Sequence, residues 1–205
     1  MKNLPGITAQ GNFSLQEAFG GVRGLVESVL PGLLFVVVYV VTFRIDYSVY
    51  AAGAVSLLAL VMALAQKQSV KQSSIGLLGV AIGVAWALWS GQARNFFAFG
   101  LYINTFYFAL LLLSVIFKNP VVGWLLATIV GKPKWREDAV FYHATLVATW
   151  LWVGMFALRL VIEVPLYLAN MVTALGSMRL LLGLPPYILC AYLTWLCLRP
   201  LGLKR

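Results

Sequence analysis

Charge is scarce in this chain of 205 residues: only 10% are Asp, Glu, Lys or Arg, against 62% that are hydrophobic. An ordinary soluble domain is about one quarter charged, so a water-soluble fold of this size would leave far too much apolar surface exposed. Histidine is nearly absent as well, with His143 alone. A lone imidazole with no Cys or carboxylate at ligand spacing cannot assemble a metal site. Two cysteines, Cys190 and Cys197, lie in one apolar segment. Seven helical residues separate their α-carbons by about 10 Å, out of disulfide range, so both read as free packed thiols. Also missing are a Walker loop, a zincin signature, a nucleophile elbow and paired intramembrane aspartates. The sequence thus predicts no catalytic residue, no metal and no cofactor, and the protein is expected not to be an enzyme.

What is present is a series of long apolar runs. A bilayer core of about 30 Å needs about 20 helical residues. Continuous runs such as Leu33-Leu34-Phe35-Val36-Val37-Val38 speak against the alternating segments of a β-barrel. The fold class expected is all-α: a polytopic membrane protein of six transmembrane helices, with a short interfacial helix between the fourth and fifth. Span one covers about 25–43, bracketed by Arg23 and Arg44, and span two about 47–65. Span three covers about 74–90, and span four about 96–117, stopped by Lys118-Asn119-Pro120. Val121 to Val130 is too short to cross and is bounded by Pro120 and Gly131, good start and stop signals. It reads as interfacial or re-entrant, with Trp124 and Trp135 near the headgroups. Span five opens on Glu137 and Asp138, which suit a helix N-terminus, and runs to Leu158. Span six lies between Arg179 and Arg199, kinked by Gly183 and Pro185-Pro186.

Three regions follow: a cytoplasmic segment over 1–24, the membrane domain over 25–199, and a basic tail over 200–205. Ser14-Leu15-Gln16-Glu17 has the form of a capping box. It either opens a short amphipathic helix or extends span one. No cleavable signal peptide is legible at the N-terminus.

The net charge of +9 does not form a soluble basic face, so nucleic acid is not an expected partner. Instead the basic residues record orientation. Lys2, Arg23, Lys67, Lys71, Lys118, Lys132, Lys134, Arg136, Arg199, Lys204 and Arg205 fall on one side; Arg44, Arg94, Arg159 and Arg179 fall on the other. Eleven against four places both termini in the cytoplasm by the positive-inside rule. The expected partners are the lipid bilayer and either other membrane proteins or further copies of this chain.

All outer basic residues are arginines, the better bidentate partner for carboxylate or phosphate. They either converge on an anionic ligand or snorkel singly at helix ends. Arg159 and Glu163, four apart, are spaced to pair on one helical face, and are either interfacial or functional. Glu27 lies one turn beyond Arg23 inside span one, where a carboxylate either pairs or handles a cation. Asn104 falls near the middle of span four, where its amide needs a hydrogen bond from another helix or from a substrate. His143 is either packed or pH-sensitive.

Leu30-Pro31-Gly32-Leu33-Leu34-Phe35 with Tyr39, Phe117-Lys118-Asn119-Pro120-Val121-Val122, Trp135-Arg136, and Thr149-Trp150-Leu151-Trp152 with Arg159 together carry a resemblance. Over nearly the whole chain the pattern resembles domain-of-unknown-function family 3159, bacterial membrane proteins. Over about half the chain it is distantly similar to the intracellular septation protein A family. The second resemblance implies a role in cell-envelope organisation or division, in the bacterial cell membrane; neither transfers a catalytic residue. The leading expectation is a non-enzymatic membrane protein supporting the envelope or septation through membrane-protein contacts. The alternative is a small-molecule transporter or substrate-binding membrane subunit with an outward, arginine-lined cavity.

Overall fold

The computed structural model describes residues 21–65 and 70–201. Side chains are described over 30–62, 78–199 and at 201. The described chain is helical, in the order α1 (Gly21–Thr42), α2 (Ile45–Ala65), α3 (Val70–Ser90), a 3-10 turn (Ala93–Phe96), α4 (Ala98–Ile116), α5 (Val121–Val130), α6 (Ala139–Leu168), α7 (Val172–Leu181), α8 (Leu184–Leu198) and a last 3-10 turn (Arg199–Leu201). No strand occurs among the described residues. The capping-box segment lies outside them.

Four stretches are long and apolar enough to cross a membrane: Ile45–Met62, Ala98–Ile116, Ala139–Leu168 and Val172–Leu198. That is fewer than the six expected. In α1 and α3 the apolar parts that are described, Leu30–Thr42 and Leu78–Ser90, are shorter. Two boundaries also move. Span five does not stop at Leu158, because nothing breaks the helix at Arg159 and α6 continues through Pro165 to Leu168. The last span is two helices, α7 and α8, interrupted at Leu182 and Gly183 just ahead of the expected prolines. The short helix after α4 has the bounds the sequence predicts.

The helices form two compact units. One holds residues 19–102 and 162–183. Here α1 packs on α2 and α7, and α3 on α2 and the 3-10 turn. Its centre is Phe35, fully buried, with the Phe96 ring stacked on it at 4.0 Å and Phe97 edge-on at 5.6 Å. Small residues let backbones approach, as is usual where lipid removes the hydrophobic drive between helices. A β-carbon at Gly83 would stand 2.6 Å from the Phe96 carbonyl oxygen, and one at Gly176 would overlap Val36. Between α1 and α2 the chain reverses at Phe43, whose φ is 51°. Arg44 then grips Asp46 in the first turn of α2, through Nε to Oδ1 at 3.1 Å and Nη2 to Oδ2 at 2.6 Å. A carboxylate there also suits the helix dipole.

The other unit holds residues 103–161 and 184–205. Phe156 stacks with Tyr107 and meets Tyr187 edge-on, and the Trp152 indole donates to Thr194 Oγ1 at 3.0 Å, joining α6 to α8. Asp138 caps α6, its Oδ1 accepting from the Phe141 N–H at 3.0 Å. The sequence placed an acidic N-terminus here, and the cap is the reason. Trp135, expected near the headgroups, packs inside this unit at 5% exposure. Gly123 of α5 lies over its ring, where a β-carbon would come within 2.5 Å. Cys190 and Cys197 are free thiols.

Candidate functional site

The polar residues singled out in the sequence do not gather at one point. Arg94 and Arg179 belong to the first unit, around the 3-10 turn. Arg94 sends Nη1 to the carbonyls of Tyr167 and Leu168 at 3.2 and 3.3 Å, and Nε to Gln92 Oε1 at 2.8 Å. Those carbonyls end α6, past its regular i+4 donors, and the Tyr167 carbonyl also accepts from the Asn170 N–H at 3.1 Å. An arginine fits this place well, since Nη1 serves both carbonyls while Nε holds Gln92, and its charge complements the negative end of the helix. Its guanidinium also lies over the Tyr167 ring at 5.2 Å. The Tyr167 hydroxyl in turn donates to Asn95 Oδ1.

Arg179, on α7, donates through Nη1 to the Phe97 carbonyl at 2.7 Å and lies 5.4 Å from the Phe97 ring centre. Gly100, one turn into α4, leaves the room its guanidinium needs. Arg94 and Arg179 therefore bind backbone carbonyls on either side of one turn. They hold the end of α6 and the start of α4, rather than framing an anion between them.

Arg159 belongs to the other unit, where its guanidinium lies 5.4 Å from the Tyr187 ring centre. At 6% exposure, with Glu163 at 0%, both side chains are buried. The expected helix end is absent, so both ride in the interior of α6. Asn104 faces inward at 4% exposure, and its Nδ2 has no hydrogen-bond partner. His143 is exposed, with Nδ1 2.9 Å from the Ala139 carbonyl. Glu27 is in α1, but its side chain lies outside the described residues. Among the described residues, no three His, Cys, Asp or Glu are grouped to hold a metal.

A second polar region lies at the α4–α5 turn and the α5–α6 loop. Lys132 pairs with Asp138, and Lys134 with Glu137 at 3.5 Å. The Lys132 ammonium, helped by the Phe141 N–H, holds the Asp138 carboxyl below the usual carboxylate range. Arg136 reaches back to donate to Asn119 Oδ1 at 2.6 Å. Beside it, Leu110, Leu113, Ser114 and Phe117 of α4 and its end, with Asn119, Val121 and Trp124, line a groove of about 350 Å³. Sequence reasoning missed Asn95, Gly100, Tyr167 and Asn119. Their roles arise from partners 17 to 82 positions away, which no local spacing signals.

Long apolar helices, polar side chains turned onto the chain's own backbone and small residues at close helix contacts define the class: a helical membrane protein. Residues 19–203 match the family described as Protein of unknown function (DUF3159), and the chain belongs to it. No curated protein and no solved structure matches the chain.

Proposed function

We propose that this is a six-span, non-catalytic protein of the bacterial cell membrane, acting in envelope organisation or septation through contacts with other membrane proteins. The observation that carries the reading is the use made of Arg94 and Arg179, whose guanidinium groups bind backbone carbonyls and so brace the fold. Supporting it, α2 exposes Leu57, Leu58, Val61 and Met62 along one stretch, an apolar face suited to lipid or a neighbouring helix. Six spans follow if α1 and α3 cross, and their 22 and 21 residues reach about 30 Å at about 1.5 Å per residue. The eleven-to-four charge bias then favours cytoplasmic termini, with α5 at the inner surface beside Lys118, Lys132 and Arg136.

In-cell crosslinking with mass spectrometry tests the role: division or envelope proteins are the expected partners, and capture of an energy-coupling module instead would overturn it. Cysteine labelling at positions 71 and 94 tests the topology. Labelling from opposite faces is expected, and labelling of both from one face would sink the six-span arrangement.

One observation favours a second reading, a small-molecule transporter: the buried, unpartnered Asn104 Nδ2 in the interior of α4. A polar group without a partner at membrane depth is unfavourable unless function requires it.

A further inference from the structure

The groove between the end of α4 and α5 combines two properties that belong together only at a membrane surface. Its walls are apolar and face outward: Phe117 is 75% exposed and Trp124 56%. The one hydroxyl lining it is already engaged. Ser114 Oγ donates to the Leu111 carbonyl at 2.7 Å and accepts from the Val121 N–H at 3.3 Å. The walls therefore select hydrocarbon rather than a polar solute.

The rim is cationic. Asn119 lines the groove and holds the exposed Arg136 guanidinium, and Lys118 follows Phe117 in the turn, fixed at φ 53°. The nearby loop carboxylates Glu137 and Asp138 are paired with Lys134 and Lys132. Among the described residues, Lys118 and Arg136 make no ion pair, so two uncompensated positive charges border an apolar cleft.

We infer that this groove is a binding site for an anionic phospholipid of the cytoplasmic leaflet. One acyl chain lies along Leu110, Leu113 and Trp124, and the phosphate sits against Arg136 and Lys118. Arginine suits phosphate through its planar fork, and the inner leaflet is where anionic lipids attract juxtamembrane cations. A volume of about 350 Å³ is at the small end for ligand sites, enough for part of a chain and not a whole lipid. The assignment to the inner leaflet rests on the orientation proposed above; the binding chemistry does not.

The test uses the full chain in detergent, where binding is read independently of orientation. Native mass spectrometry compares retention of phosphatidylglycerol and phosphatidylcholine by wild type, the double variant Lys118→Gln/Arg136→Gln, the groove-filling Leu113→Trp, and Arg44→Gln as a control on another loop. Wild type should retain phosphatidylglycerol preferentially. The double variant should lose that preference by roughly tenfold or more, as expected for removing two charges that face a lipid phosphate. Leu113→Trp should lower retention of the lipid, and Arg44→Gln should leave it unchanged. Thermal unfolding of each variant confirms that it is folded. Equal retention of the two lipids by wild type overturns the proposal, as does a Leu113→Trp protein that folds and binds normally. Labelling of Lys118→Cys from outside the cell would reverse the leaflet and refute the orientation, while leaving the groove measurement intact.

Discussion

Gly100 and Arg179 fit only as a pair: a β-carbon at position 100 would occupy the space of the guanidinium that bonds the Phe97 carbonyl. Gly100→Ala should therefore destabilise the protein by about 1–3 kcal/mol, the range for overpacking a close contact. Arg179→Ala should destabilise it too, through the lost hydrogen bond. The double variant should be less destabilised than the sum, since each change removes the same fit. Thermal unfolding in detergent reads all three, and strict additivity would refute the coupling.

Arg94 offers a test of whether an arginine of this kind braces the fold or waits for an anion. Its Nη1 reaches two carbonyls at the end of α6 while Nε bonds Gln92, a planar set of donors that a lysine point charge does not reproduce. Arg94→Lys should lower stability by about 1 kcal/mol and raise the hydrogen-exchange rate of the last turn of α6. Unchanged stability and exchange would remove the bracing role.

Acid should weaken the α5–α6 loop. The Asp138 carboxyl is held below its ordinary range chiefly by the Lys132 hydrogen bond, then by the Phe141 N–H. A carboxylate lowered in the folded state stabilises it above the unfolded value, about 3.9. That contribution is lost as pH falls through the folded value. Asp138→Asn should thus be less stable than wild type at neutral pH, with the difference closing below about pH 4. A gap that stays constant with pH would contradict the pairing.

Asn104→Leu should be neutral or stabilising, because a buried unsatisfied donor costs about 1–3 kcal/mol and leucine of similar size has none. A higher melting temperature with normal cellular function would assign Asn104 to packing alone. Raised stability with lost function would favour the transporter reading.

Much of the architecture was legible from the chain because lipid imposes simple rules: length, apolarity and breaks at Pro120, Gly131 and Gly183 mark the helices. Val121–Val130 and the acidic start of α6 emerged almost as the residues spell them. Arg159 misled because an arginine after an apolar run looks like the end of a helix, whereas α6 continues past it to Leu168 and its guanidinium packs against Tyr187. The close packing of Trp135 under Gly123 carried no local signal either, since it depends on a residue of the preceding helix. The roles of Arg94 and Arg179 were not legible, because backbone carbonyls carry no sequence signature.

The length of α6 has a consequence for the membrane around it. Its 30 residues extend about 45 Å, against a hydrocarbon thickness of about 30 Å. Counted from the Asp138 cap, Arg159 comes about 30 Å along at about 1.5 Å per residue, about one hydrocarbon thickness from the start of the helix. A helix longer than the apolar layer is accommodated by tilt or by local thickening of the bilayer. α6 therefore crosses at a slant or carries its last turns, with Arg94 bound to their carbonyls, beyond the hydrocarbon.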